Sequence, residues 1–322
     1  MFSFVNRPLD RWVIRAAAAK FRPPRVQDSR ILQTAELLQS SDFFCDSIQT
    51  PEEVFFNDPH GFRFRSLLLT GCEDNDFVHG RLYRAGRNWQ ARPAVILIHG
   101  WNGEYGYEWL FPWLARRLNA QGVNVAMLEL PYHGRRKPRS HGAIRNFISS
   151  DLFHTVQAAR QAVADIRALL GWLLGQGSPA VGLWGVSMGG WLAGLVASHE
   201  PRTKFAVLMS PLVDLEDAIE TLPFCEPIQV SLKGGTVPLR MLNLQVARPL
   251  PAPGNILIVE ALDDQFVPPE SVENVWRAWN QPELWRVKHG HISILLSLPV
   301  LERTTRWIAK RAETVIRNGC SV

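Results

Sequence analysis

Cysteine is scarce in this chain and carries no pattern. Cys45, Cys72, Cys225 and Cys320 are its four cysteines, scattered over 322 residues with no C-x-x-C pair. That spacing argues against a zinc ribbon or a redox dithiol, and it fits a reducing, cytoplasmic setting. No metal and no organic cofactor is expected. Also missing is an aliphatic run near the ~20 residues that a membrane span needs. A signal-peptide core is broken up by Arg7, Asp10, Arg11, Arg15 and Lys20. Internal repeats and low-complexity tracts are lacking, so a solenoid or a linker-rich chain is not expected. The basic residues belong to no recognisable nucleic-acid module, and no nucleic-acid partner is expected.

What the chain does have is an ordinary core-forming composition, 46% hydrophobic and 20% charged. Its charge is unevenly placed. The net charge is +5, and residues 1–30 alone hold seven cations (Arg7, Arg11, Arg15, Lys20, Arg22, Arg25, Arg30) against Asp10 and Asp28. Val5, Leu9, Trp12 and Val13 are spaced to share one helical face. Residues 1–59 therefore read as a basic helical segment on or before a main domain at 60–322. Contact with an anionic membrane surface is the rival reading. A second basic stretch, 131–145, carries Arg135, Arg136, Lys137, Arg139 and Arg145 with His133 and His141, and no acidic residue. It reads as a solvated face, with attraction of a carboxylate or phosphate as the alternative.

Beyond the N-terminal segment, short apolar runs alternate with helical patterns. Strands are expected at 62–69, 79–84, 94–98, 123–130, 180–185, 205–209, 255–261 and 284–288. Helices are expected at 31–40, 107–120, 151–175, after 187 to about 199, 270–280 and 302–317. Strands that are apolar throughout imply a mainly parallel sheet covered on both faces, an α/β fold. Residues 214–254, rich in proline and leucine and containing Gly234 and Gly235, break the rhythm and read as a lid-like insertion. Trp109, Trp113 and Trp191 read as packing residues.

Gly185, Val186, Ser187, Met188 and Gly189 spell G-x-S-x-G between a strand and a helix. A tight strand-to-helix turn there holds the serine oxygen toward a substrate, and the flanking glycines give it room. Such a serine needs a base and a group that orients the base. His291 follows the last strand at the sheet edge where the turn opens, with His289 two positions away as a lesser candidate. Asp264 begins the loop after the preceding strand. Asp263 beside it and Asp214 after an earlier strand are its rivals.

Four segments in this order, "ILIHGWNG" (96–103), "GVSMGG" (185–190), "DDQFVP" (263–268) and "GH" (290–291), resemble the α/β-hydrolase family over residues 60–317. The resemblance implies an α/β-hydrolase fold and a Ser187–Asp264–His291 triad. It also implies an oxyanion hole built from the backbone N–H groups of Trp101 and Met188, with Asn102 as a rival to Trp101. His99 is then a loop-holding residue. The implied activity is hydrolysis of a small-molecule or lipid carboxylic ester. Thioester or peptide hydrolysis, acyl transfer, a peripheral lipid hydrolase and a catalytically silent binder are the alternatives. Because no triad member lies in residues 1–25, that segment is expected to be dispensable for a small soluble ester. The sequence specifies no oligomeric state.

Overall fold

A computed structural model describes residues 3–20, 30–40, 43–44, 50–140, 144–233 and 235–319. Cys45, Cys320, His141 and Gly234 lie outside the described residues, as does the side chain of Val5. The helices are α1 (Ser3–Lys20), α2 (Ile31–Gln39), α3 (Glu73–Asp76), α4 (Phe111–Asn119), α5 (Leu152–Gly175), α6 (Met188–His199), α7 (Leu215–Thr221), α8 (Glu226–Leu232), α9 (Pro269–Ala278) and α10 (Leu298–Gly319). The strands are β1 (Phe55–Phe56), β2 (Gly61–Arg65), β3 (Phe77–Tyr83), β4 (Ala94–Ile98), β5 (Asn124–Leu128), β6 (Val181–Val186), β7 (Thr203–Met209), β8 (Ile256–Ala261) and β9 (Glu283–Val287).

The strands form one nine-stranded sheet, ordered β1-β2-β3-β5-β4-β6-β7-β8-β9. From β5 to β9 every neighbour pair is parallel, while β1, β2 and β3 extend it antiparallel. This is the α/β-hydrolase fold that the motifs implied. Strand β4 shows why its run is wholly apolar. Ile96 and Ile98 join the core under α5 and α6, whereas Val95 and Leu97 join the opposite core under α4 and α10. Side chains alternate along a strand, so a sheet buried on both faces needs apolar residues at both parities.

Two short elements escaped the sequence pattern. Strand β1 has only two residues and α3 only four, too few to show a period. The insertion at 214–254 folds into α7, α8 and short turns. Its later part is pinned to the core by indole donors: Trp191 Nε1 to the Leu242 carbonyl at 2.7 Å and Trp279 Nε1 to that of Leu244 at 2.8 Å. Trp109, expected to pack, is 68% exposed beside the likewise exposed Tyr105.

Helix α1 differs from its expected amphipathicity. Trp12 is exposed, and Leu9 and Val13 are half-buried. The buried face is Asn6, Asp10 and Ile14, at four-residue spacing. The reason is what lies beneath it: this helix covers loops at the sheet's C-terminal edge, whose free backbone N–H and C=O groups need polar partners.

Candidate active site

Strand β6 delivers Ser187 at φ 55° and ψ −123°, a backbone state that costs a non-glycine residue about 1–3 kcal/mol. Several contacts hold the residue there. The Ser187 N–H donates to the Met209 carbonyl at 3.0 Å, and the Ser187 carbonyl accepts from Leu212 and Trp191, each at 3.0 Å. The glycines are a steric requirement: a Cβ on Gly185 would overlap the Gly189 backbone, and one on Gly189 would overlap Ile98. The β4 tip also comes close, though less so, since a Cβ on Gly100 would sit 3.3 Å from the Ser187 Cβ.

His291 lies in the loop after β9 and Asp264 in the loop after β8. Adjacent parallel strands bring these loops together at the edge where Ser187 sits. His291 Nε2 is 2.8 Å from Ser187 Oγ, and Nδ1 is 2.7 Å from Asp264 Oδ2. The other Asp264 oxygen accepts from the Phe266 and Val267 N–H groups at 2.8 and 2.9 Å, which fixes the carboxylate's orientation. The Phe266 ring lies against the imidazole, centroids 4.6 Å apart. Burial by itself opposes charge on His291, but the facing Asp264 and, further off, Asp10 outweigh it, and its pKa is raised above the ordinary 6.5. A buried imidazole facing a carboxylate is stabilised as its cation, the form a general base takes after accepting a proton.

The rival acids stand elsewhere. Asp214 caps α7, accepting from the Glu216 and Asp217 N–H groups and from Asn243 Nδ2. Asp263 accepts from Asn6 Nδ2 and pairs with Arg7. His289 offers its ring to Ser293 at 3.5 Å, with Ser187 held instead by His291.

Met188 is the first residue of α6, where a helix has no internal acceptor for its N–H. Trp101 packs at a tilt on Phe224 of the insertion, centroids 4.7 Å apart. Asn102, at φ 49°, commits its N–H to His133 Nε2 at 3.2 Å. His133 Nδ1 lies 2.9 Å from the Pro131 carbonyl, so this ring carries its proton on Nδ1 and accepts on Nε2. His99 works alike, with Nδ1 2.8 Å from the Gly100 carbonyl and Nε2 accepting from the Leu130 N–H at 3.1 Å. Two neutral imidazoles therefore brace the 99–103 loop. His133 was visible in the sequence as part of a basic stretch, and nothing local signalled this use.

Asp10 is the other residue that sequence reasoning passed over. It is wholly buried, and its carboxylate accepts from the backbone N–H of His291 at 2.7 Å, of Ile292 at 3.1 Å and of Gln265 at 3.2 Å. Its pKa is raised, first by burial and also by Asp264, against the lowering effect of the Ile292 and His291 N–H bonds. The basic stretch at 131–145 is largely neutralised within the protein. Arg135 pairs with Glu129, Lys137 with Glu104 and Arg139 with Asp74, while Arg136 is buried against Asp165. Among the described residues no cluster of His, Cys, Asp and Glu is arranged to hold a metal ion, and no helix is long and apolar enough to cross a membrane.

Comparison with known proteins gives the same outline. The model of the alpha/beta hydrolase family matches residues 95–318. The uncharacterized protein Rv2627c of Mycobacterium tuberculosis is 32% identical over 299 residues, covering 90% of this chain and 69% of that protein. The thiohydrolase aneE of Aspergillus aculeatus is 27% identical over 151 residues, 45% of this chain and 41% of its own. Among solved structures, the acetyl xylan esterase from Paenibacillus sp. R4 aligns with a TM-score of 0.55 at 15% identity, over 92% of this chain and 98% of its own.

Proposed function

The chain belongs to the alpha/beta hydrolase family, and from that premise we propose that it is a serine hydrolase cleaving carboxylic esters through an acyl-enzyme. The observation that carries this reading is the continuous contact Ser187–His291–Asp264, two separations of 2.8 and 2.7 Å at a strained turn. In the proposed reaction His291 Nε2 takes the proton of Ser187 Oγ as that oxygen attacks the acyl carbon. The negative charge on the former carbonyl oxygen meets the N–H groups of Trp101 and Met188. Imidazolium then gives its proton to the departing alcohol oxygen. A water molecule, deprotonated by the same ring, releases the acid and restores Ser187. Asn102 is left out of the oxyanion hole because its N–H is engaged by His133.

Two features favour neutral, partly apolar esters. The Phe266 ring lies against the His291 imidazole, and Trp101, next to the Gly100 that approaches Ser187, packs on Phe224. The basic residues at 135–139 face acidic partners, which leaves little unbalanced field to draw an anion. Thioester hydrolysis is the second reading, favoured by the likeness to aneE, described as a thiohydrolase.

The test pairs a fluorophosphonate probe with esters and thioesters of graded acyl length. Wild type should label and turn over. Ser187→Ala should not label, and its turnover should fall by about 10⁴–10⁶. Activity should decline as pH drops through a value above 6.5, because protonated His291 cannot accept the serine proton. Labelling that persists in a folded Ser187→Ala protein would end the proposal.

A further inference from the structure

We propose that Asp10 on α1 is a positioning residue for this site, stapling the histidine loop to the acid loop. The inference rests on the serine hydrolase reading above. The two loops follow neighbouring strands and are joined at their bases by backbone bonds from the Leu262 N–H to the Val287 carbonyl and from the Asp263 N–H to the His289 carbonyl, both 2.9 Å, and His291 and Gln265 lie beyond these bonds. One carboxylate spans them. It holds His291 and Ile292 on one side and Gln265, the residue after Asp264, on the other. The distance between His291 Nδ1 and Asp264 Oδ2 is thereby tied to backbone bonds on both sides.

The surroundings are built for this contact. Asn6, one turn earlier, donates through Nδ2 to Asp263 Oδ2 at 3.1 Å and to the Lys288 carbonyl at 3.2 Å, and it accepts from Ser293 Oγ at 3.0 Å. Arg7 and Arg11 add outer bonds to Asp263 and Gln265, both at 3.2 Å. Gly290 allows the approach: a Cβ there would lie 2.7 Å from Asp10 Oδ2 and 3.0 Å from the Asn6 carbonyl. The chemistry requires a carboxylate. Three N–H donors converge on two acceptor oxygens, and an amide at the same place would turn an NH₂ toward at least one of them. The titratable groups acting on the imidazole are Asp264 and Asp10. Asp263 is occupied by Asn6 and Arg7, and His289 faces Asp263.

The substitution that tests this is Asp10→Asn, with Arg15→Ala on the exposed face of α1 as the control. Thermal midpoints and circular dichroism establish folding. Ester kcat should fall by about 10–100-fold with KM little changed, the signature of misplaced reacting groups with binding intact. The acidic limb of fluorophosphonate labelling should move to lower pH, because a buried negative charge beside the imidazolium is gone. A merely structural role would not move that limb. Gly290→Ala disturbs the same contact from the opposite side and should lower kcat in the same direction, so the idea remains testable if Asp10→Asn folds poorly. Wild-type kcat and an unmoved limb in folded Asp10→Asn, or wild-type kcat in Gly290→Ala, overturn the positioning role. Absence of labelling in wild type itself would instead overturn the hydrolase reading.

Discussion

Two stretches of this chain share a surplus of positive charge, and the fold uses them in opposite ways. In the loop 131–139 the cations turn inward or toward neighbours. Arg136 is wholly buried, with Nη2 2.9 Å from Asp165 Oδ2 and further bonds to the Asn75 and Glu129 carbonyls. The loop's acids are Glu129, just past β5 and six residues from Arg135, and the more distant Asp165 of α5, Glu104 and Asp74. On α1 Arg7, Arg11 and Arg15 face outward, and the helix's deepest contacts belong to Asn6 and Asp10, an amide and an acid. The count of lysine and arginine was therefore a poor guide to both. One basic region is bound by its charges, the other by the residues between them.

The sharpest break of this contrast is Asp165→Ala. It strands the Arg136 guanidinium in the core, where losing one partner of a buried pair costs about 3–5 kcal/mol. Urea unfolding should show that loss. A change below 1 kcal/mol would mean that the Asn75 and Glu129 carbonyls suffice for the guanidinium.

Next in size is removal of residues 1–20. The sequence reading held residues 1–25 dispensable for a small soluble ester. The contacts of Asn6 and Asp10 argue against that expectation, because the helix bonds to both loops that carry His291 and Asp264. Turnover should drop by about 100-fold, in line with a reacting group displaced by an ångström. Unaltered kcat in the truncated protein would make α1 a simple cover.

The smallest effect is expected from Arg135→Ala combined with Lys137→Ala. Both side chains are partly exposed, the Lys137–Glu104 pair is a surface one worth under about 1 kcal/mol, and the buried Glu129 keeps the Arg135 backbone N–H when the guanidinium is removed. Stability should barely change, and the ratio of kcat/KM for an anionic and a neutral ester of equal size should stay constant at low salt. A ratio that falls on substitution would restore the anion-attracting reading of this loop.

The parts legible beforehand were those governed by local pattern. Runs such as AVILI at 94–98 could be placed because a sheet covered on both faces admits few polar residues. The turn at Ser187 could be placed because two glycines and a strand-to-helix switch are local requirements. Less legible was anything set by a partner far along the chain. Asp263 and Asp264 are adjacent and alike in sequence, and the close approach of Asn6 and Arg7 to one and His291 to the other separates their roles. Trp101 and Asn102 likewise differ through a histidine thirty-one positions from the latter.

By itself, then, the sequence determined the alternation of strands and helices, the serine-bearing turn and the order of the segments that follow β6, β8 and β9. These depend on side-chain periodicity and on steric limits within a few residues. The tertiary structure alone decided that a helix at the N-terminus would hold loops near the C-terminal end, and that a basic loop would be neutralised. A hydrogen bond or ion pair across 281 residues, such as that from the His291 N–H to Asp10, leaves no periodic trace in the chain. It exists because folding exposes backbone donors at a sheet edge and the nearest buried carboxylate satisfies them.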